Sequence, residues 1–399
     1  FAQNRKMKSM ARAAVAVFTG VLPLLSGAVS PFISKVYDYK PAPGQFINTM
    51  PAWSDGQSSQ DVLDAAQEQL AGSATPGMIC LGAFGGYVVF GFDHPLVNVR
   101  GEYDLKIYGN AFISDKELNG GSCEPGVVWV SRDTNGNGLP DDIWYELAGS
   151  ECDSEATVHN FTIVYHKPAD NHTAVPSPDD RAITDMRYIR WTSDLPSRPE
   201  GYIQANSFHR QSYWPGWCGD ETLEFSGTLL PGNAVDLSGT GKSWVTCAFG
   251  EGYVDNIPNA DDHGLKLDWA VDGQGNHVWL PSVDFIKVQS GMLQNTGWLG
   301  ETSTEVCGAE DLHPEAVAET SGCGSVFSDS TVPQAWMGRD GNLWLEADGN
   351  LPVNVYTVTG IRIFSGQTVG GVQSVPVGQH ALYIVEIGNP RRKLSRRPY

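Results

Sequence analysis

Three segments decide the fold: LGAFGGYVVFGFDHPLVN from Leu81 to Asn98, GEYDLKIYGNAF from Gly101 to Phe112, and EPGVVWVSRDTNGNGLPDDIWYELAGSE from Glu124 to Glu151. Each begins or centres on a run rich in β-branched and aromatic residues. In Tyr103-Asp-Leu105-Lys-Ile107-Tyr108 the apolar residues alternate, which places Tyr103, Leu105 and Ile107 on one face of a strand. Similar runs occur at Tyr87–Phe92, Val127–Ser131, Ile143–Leu147, Phe161–His166, Tyr188–Thr192, Ser243–Phe249 and Asp284–Gln289. Turns rich in Gly, Pro and Asn separate them. Many short strands punctuated in this way predict an all-β jelly roll or β-sandwich. The main domain is expected over 29–325, with its core at about 75–310. One helix is expected, at Gln60–Leu70, where Val62, Leu63, Ala66 and Leu70 fall close to a single face. The polar, Pro-rich span from Lys167 to Asp185 reads as a long surface loop.

The third segment carries the clearest chemical signal. Oxygen side chains recur at every second position in Asp133-Thr-Asn135-Gly-Asn137, and Gly138 follows with the freedom to take a positive φ. Hard cations such as calcium take six to eight oxygens, backbone carbonyls included. Asp133, Asn135, Asn137, the Leu139 carbonyl and Asp141 are the expected ligands of a structural Ca2+, with Asp142 or Glu146 completing the shell. The pattern follows the calcium-loop signature up to its glycine and then departs from it, because Trp144 occupies the position of the bidentate Glu. The competing reading is a polar hairpin, since Asn-Gly is a turn signal by itself.

Composition narrows the class. The 399 residues include 46 Asp and Glu against 26 Lys and Arg, a formal charge of −20, with 45 Gly and 12 Trp. An acidic balance of this size argues against nucleic acid as a partner. Arg5, Lys6, Lys8 and Arg12 precede an apolar run that ends near Leu25, followed by Ser26-Gly-Ala28. This reads as a secretory signal peptide over 1–28, with cleavage after Ala28. The run is too short, and too broken by Gly20 and Pro23, to span a membrane. An exported, surface-associated protein is therefore expected. Export permits disulfides among the seven cysteines. Sequence-adjacent pairing would join Cys123–Cys152, Cys218–Cys247 and Cys307–Cys323 and leave Cys80 over, but spacing does not decide connectivity.

After Cys323 the texture changes. A Ser/Thr-rich linker at 326–333 leads to a small β domain at 334–394 and a basic tail at 395–399, read as a disordered end. Strands are expected at Asn342–Glu346, Val353–Thr357, Arg362–Phe364 and Ala381–Glu386.

For ligand binding, the densest aromatic cluster is His209-Arg210-Gln-Ser-Tyr213-Trp214-Pro-Gly-Trp217. Arg210, Tyr213, Trp214 and Trp217 are the candidate contacts, as ring faces for stacking beside a guanidinium donor. The alternative is a Trp-rich loop folded over the core. The acidic run Asp255-Asn256…Asp261-Asp262-His263 reads as a solvated loop that could hold a second cation. Nucleophile-elbow, zinc-protease and phosphate-loop motifs are lacking. The leading expectation is a non-catalytic surface binder of carbohydrate or another large polar nutrient. A secreted glycan-active hydrolase using a carboxylate pair and a structural or adhesion module are the alternatives.

Two resemblances add to this reading. Val355-Tyr-Thr-Val-Thr-Gly360-Ile-Arg362-Ile363, Val375-Pro-Val-Gly378 and Leu382-Tyr-Ile-Val385 resemble the secretion-sorting domain that ends many Bacteroidetes exported proteins. This implies a surface-delivery or anchoring role for the C-terminal unit. Leu81 to Glu305 resembles a bacterial cell-surface family with an LGxxGGxVxFGFDxPIxN…YGNAF…EPGxVWV core. The matching positions include Gly85, Gly86, Phe90, Asp93, Gly109, Asn110, Phe112, Glu124, Pro125, Gly126 and Trp129. Later matches are Asp255-Asn256, Val283–Gln289 and Gly300–Glu305. That resemblance implies a galactose-binding-like jelly roll, often associated with outer-membrane uptake systems, corrinoid uptake among them. Fold alone does not fix function.

Overall fold

The computed structural model describes residues 29–316 and, further on, 334–337, 342–347, 349–357, 361–369, 371–376, 383–387 and 394–396. The expected signal peptide at 1–28, the linker at 326–333 and Cys323 lie outside them, as do Gly360, Gly378 and Leu382 of the sorting-domain motif.

The chain is an all-β sandwich. A six-stranded antiparallel sheet runs in the order Lys35–Lys40, Tyr87–Gly91, Phe285–Ser290, Gly126–Ser131, Trp144–Leu147 and Ala270–Val271. Its register pairs Val88 with Val288 and Val288 with Val128, so one face presents Val88, Phe90, Val128, Val130, Ile286 and Val288. Against that face packs a second layer of short antiparallel pairs. These are Leu105–Tyr108 with Gly308–Asp311, Ile79–Cys80 with Glu305–Val306, and Leu96–Val97 with Ser282–Val283. The alternation seen in the sequence is realised: Leu105 and Ile107 are buried, while Tyr103 sits just before the strand, half-buried against the same core.

The helix spans Ser59–Leu70, and Val62, Ala66 and Leu70 enter the core. It starts at Ser58, whose hydroxyl accepts from the Asp61 N–H while the Asp61 carboxylate accepts from the Ser58 N–H. That reciprocal cap satisfies two amide groups that a helix end otherwise leaves unpaired.

A four-stranded sheet, Glu200–Asn206, Ile183–Ser193, Val158–His166 and Thr222–Leu229, builds a second core. Phe161, Ile163, Tyr165, Trp191 and Phe225 pack there against Phe84, Tyr213 and Trp214. Most expected strands are present with ends shifted by a few residues. Lys35–Lys40, Glu200–Asn206 and Thr222–Leu229 are additional.

The C-terminal strands form two sheets of their own. One holds Gln334–Met337, Leu343–Ala347 and Gly371–Val375; the other holds Arg362–Gln367, Pro352–Thr357, Tyr383–Ile387 and Leu394–Arg396. Leu343, Leu345, Val353, Val355, Val375 and Val385 make a separate small core. The backbone at 394–396 pairs with Tyr383–Val385, so the expected disordered tail begins inside a strand.

The disulfide expectation is corrected. Cys80, Cys123, Cys218, Cys247 and Cys307 are free thiols, so none of the sequence-adjacent pairs forms. Burial pushes the Cys123 and Cys307 thiols up to about 12, with neighbouring carboxylates adding to the shift.

Candidate functional site

The Asp133–Asp142 loop folds on itself. Asp133 accepts from the N–H groups of Gly136 at 2.7 Å, Asn137 at 3.1 Å and Gly138 at 2.8 Å. The amides of Asn135 and Asn137 both donate to Asp141, at 3.1 and 3.0 Å. Gly138 has φ +71°, as the turn requires. Asn135, Asn137 and Asp141 thus face one another through the amide N–H groups, Asp133 faces the loop backbone, and Asp142 accepts from the Thr134 hydroxyl at the loop's base. Leu139 is exposed, and its N–H donates to Asn137. Glu146 is corrected. It lies on the six-stranded sheet, 6% exposed, and accepts from the Thr228 hydroxyl at 2.6 Å, so it does not reach the loop.

The aromatic loop is also corrected. Tyr213 is fully buried and Trp214 is 4% exposed, both inside the second core. Trp217 is half-buried, stacks on Tyr39 at 6.4 Å and packs against the main core. Arg210 alone of the four is exposed, with its Nε donating to the Ser207 carbonyl. Asn48 explains the burial. Its amide donates to the carbonyls of Ser212 and Trp214, and its oxygen accepts from the Gly216 N–H. The loop is pinned over the junction of the two cores, so its rings contribute packing rather than a rim.

An exposed aromatic rim exists nearby, on residues the sequence did not single out. Phe208 is 62% exposed and meets Trp298 with ring centroids 5.5 Å apart. Beside it opens a cleft of about 300 Å³ lined by Asp179, Asp180, Gln204, Asn295 and Trp244. The Trp298 indole donates to the Lys242 carbonyl and the Trp244 indole to that of Gly241, which fixes both rings against the 236–244 turn. Asp179 and Asp180 come from the long polar loop, whose Ser177 hydroxyl accepts from both backbone N–H groups. The carboxamide oxygen of Asn295 is buried and has no partner among the described residues. Such a cleft offers one large ring face and several oxygen and amide groups, the chemistry that suits polyhydroxylated ligands.

A second cluster lies inside the sandwich. Carboxylate oxygens of Glu124, Asp255 and Glu305 lie within 4.8 Å of one another, the one such acidic group among the described residues. Asp255 accepts from the N–H groups of Asn110 at 2.7 Å, Ala111 at 2.9 Å and Glu305 at 2.9 Å. Glu305 accepts from the Ser303 hydroxyl, and Glu124 from the Ser303 N–H. Gly109 is required there, because a Cβ on it would stand 2.4 Å from an Asp255 oxygen. Burial holds the Asp255 carboxyl up at about 7. Burial together with Asp255 holds Glu305 at about 8. Glu124 is also raised, by burial first and then by its two partners. Expectation and structure part company here. Asp255 and Asn256 are buried, at 3% and 2% exposure, whereas Asp261 and Asp262 are solvated as the sequence suggested. All three carboxylates belong to segments that carry the cell-surface resemblance, yet nothing in their spacing announces the contact. The cluster has the oxygen donors of a hard-cation site, and without a cation it must share protons.

Among the described residues no helix is long and apolar enough to cross a membrane. No family model matches this chain, and neither does any curated protein.

Proposed function

We propose that the protein is an exported, surface-associated, non-catalytic binder of a carbohydrate or another large polar nutrient, stabilised by a calcium ion in the Asp133–Asp142 loop. One observation carries the reading: the cleft of about 300 Å³ that combines Asp179, Asp180, Gln204 and Asn295 with the Trp244 ring, and to which Trp298 is joined through its chain neighbour Gly297. Ring faces bind sugars through area and C–H contacts, while fixed polar groups select hydroxyl positions. The basic and apolar N-terminal segment supports export, and the resemblance of Leu81–Glu305 to cell-surface proteins supports delivery of the ligand to an outer-membrane uptake complex. The Asp133 loop supports a structural rather than a reactive ion, since its carboxylates accept hydrogen bonds from the loop's own backbone and asparagine amides and no open reactive group stands beside them.

A glycan array probed with the full chain, followed by calorimetry on the best ligand, tests this. Trp298→Ala should weaken binding by about tenfold or more, the usual scale for loss of a stacking anchor. Asp180→Asn should weaken it without altering the melting temperature. Binding that survives both changes would remove the cleft from consideration. Cleavage of the bound glycan, abolished in Asp180→Asn, would replace the binder with a hydrolase.

A further inference from the structure

One histidine holds the segment that leaves the main sandwich. His94 follows the strand Tyr87–Gly91, and its ring lies 5.9 Å from that of Phe92. Its Nδ1 stands 2.7 Å from a carboxylate oxygen of Asp93, and its Nε2 stands 2.7 Å from one of Asp311. A neutral imidazole donates from one nitrogen only, and an ionised carboxylate only accepts. Two carboxylate partners therefore select the imidazolium, in which both nitrogens donate.

The two partners differ in setting. The Asp93 side chain is 49% exposed, that of Asp311 only 1%. Asp311 ends the strand Gly308–Asp311 and organises the chain around it. Its N–H donates to the Pro31 carbonyl at 2.7 Å, and its second carboxylate oxygen accepts from the His313 N–H at 2.7 Å. The Leu312 N–H donates to the Asp104 carbonyl at 3.0 Å, and the Ala316 N–H to the His313 carbonyl at 2.8 Å. Among the described residues, His94 supplies the ion pair of Asp311. A buried carboxylate stripped of its cation is poorly compensated, so the segment's hold depends on the charge of that ring.

We propose that His94 is a protonation-controlled latch: charged, it holds Asp311 and with it residues 311–316 against the sandwich, and on losing its proton it releases them. Release would give the chain that continues toward the C-terminal sheets up to about 20 Å of extra reach, at extended-chain spacing. The latch shares no residue with the cleft and does not rest on the reading given to it.

Burial opposes the charged ring, but the hydrogen bonds and charges of Asp93 and Asp311 outweigh it and move His94 up from the ordinary histidine value. The hold is therefore full below about pH 6.5 and is lost as pH rises through the elevated value. Other titratable groups stand on the surrounding elements. Asp104, which burial holds at about 7, acts on Asp311 and has Asp268 beside it. Glu310, on the last strand, accepts from the Tyr108 hydroxyl, and His313 lies on the held segment. Ionisation of Asp104 repels Asp311 and so acts in the same direction as loss of the imidazolium.

The experiment is hydrogen exchange on the full chain from about pH 6 to about pH 9. Protection factors, which remove the intrinsic pH dependence of exchange, are read for the amides of 311–316 and divided by those of the central strand Phe285–Ser290, so that changes in global stability cancel. In the wild type this ratio should fall at least about tenfold across the range. His94→Gln, which keeps a donor but cannot carry charge, should show the low ratio at every pH. Asp93→Asn, at an exposed position, should move the midpoint to lower pH, because one of the two carboxylates that favour the charged ring is gone. If His94→Gln does not fold, nuclear magnetic resonance of the wild-type imidazoles decides: the His94 ring should titrate with the same midpoint as the loss of protection. A flat ratio in the wild type, or a His94 ring already neutral at about pH 6, would overturn the latch. So would a midpoint unmoved by Asp93→Asn. A transition that survives His94→Gln would also overturn it, because the titrating group would then be Asp104 or His313.

Discussion

Two aspartates in this protein do the same chemical work in opposite settings. Asp133 accepts three backbone N–H bonds from residues 136–138, three to five positions along the chain. Asp255 also accepts three, from Asn110, Ala111 and Glu305, which lie 145, 144 and 50 positions away. The first closes an exposed turn. The second ties three distant segments together in the interior, beside two more carboxylates. The contrast shows how little the number of hydrogen bonds says about their worth. In the exposed turn, water replaces each bond that is lost. In the core, each orphaned N–H bears its full desolvation cost.

The comparison can be broken most directly by truncating both residues. Asp255→Ala leaves two buried donors and one part-buried donor without an acceptor and should destabilise the main domain by about 3–5 kcal/mol, or prevent folding. Chemical denaturation measures this, and a loss below about 1 kcal/mol would show that the cluster is dispensable. Asp133→Ala, measured in chelator, should lower the melting temperature by no more than about 2–4 °C.

A pH titration sharpens the difference next. Asp255 and Asp104 are held at about 7, and Glu301 and Glu305 at about 8, in each case chiefly by burial. The folded state therefore binds protons that the unfolded state releases near pH 4. Between about pH 4.5 and 8 the native form holds more protons, so stability falls as pH rises across that window. Melting temperatures should decline steadily from pH 5 to pH 8.5 in chelator. Glu305→Gln, which mimics the protonated group, should make the slope shallower. A profile that declines in chelator but rises over that range with calcium added would mean that a bound cation ionises and neutralises the carboxylates.

Calcium gives a smaller effect and singles out the exposed loop. Millimolar calcium should raise the wild-type melting temperature by a few degrees, because an ion that binds only the folded state stabilises it. Asp133→Ala should abolish the rise. A rise that persists in Asp133→Ala but vanishes in Glu124→Gln would move the ion to the buried cluster. The smallest expected effect is that of reductant. With Cys80, Cys123, Cys218, Cys247 and Cys307 free, dithiothreitol should leave the main domain's melting temperature unchanged.

The aromatic residues repeat the lesson on a larger scale. His209 to Trp217 is the densest aromatic run in the chain and reads as a rim, yet Asn48 clamps it and the second core absorbs it. Phe208 and Trp298 lie 90 positions apart, look unremarkable in sequence and form a ring pair in which Phe208 is exposed and Trp298 half-buried. Local density of a residue type does not reveal which way the segment faces once it crosses between two cores.

The sequence by itself determined the four strands of the main sheet at 87–91, 126–131, 144–147 and 285–290, the helix, the Asp133 turn and the acidic balance, because each rests on contacts or periodicities within a few residues. Tertiary structure alone decided the carboxylate cluster, the cleft and the fate of the cysteines. Each of these joins side chains from strands and loops scores of residues apart. Their contacts depend on register and layer packing, which no local spacing encodes.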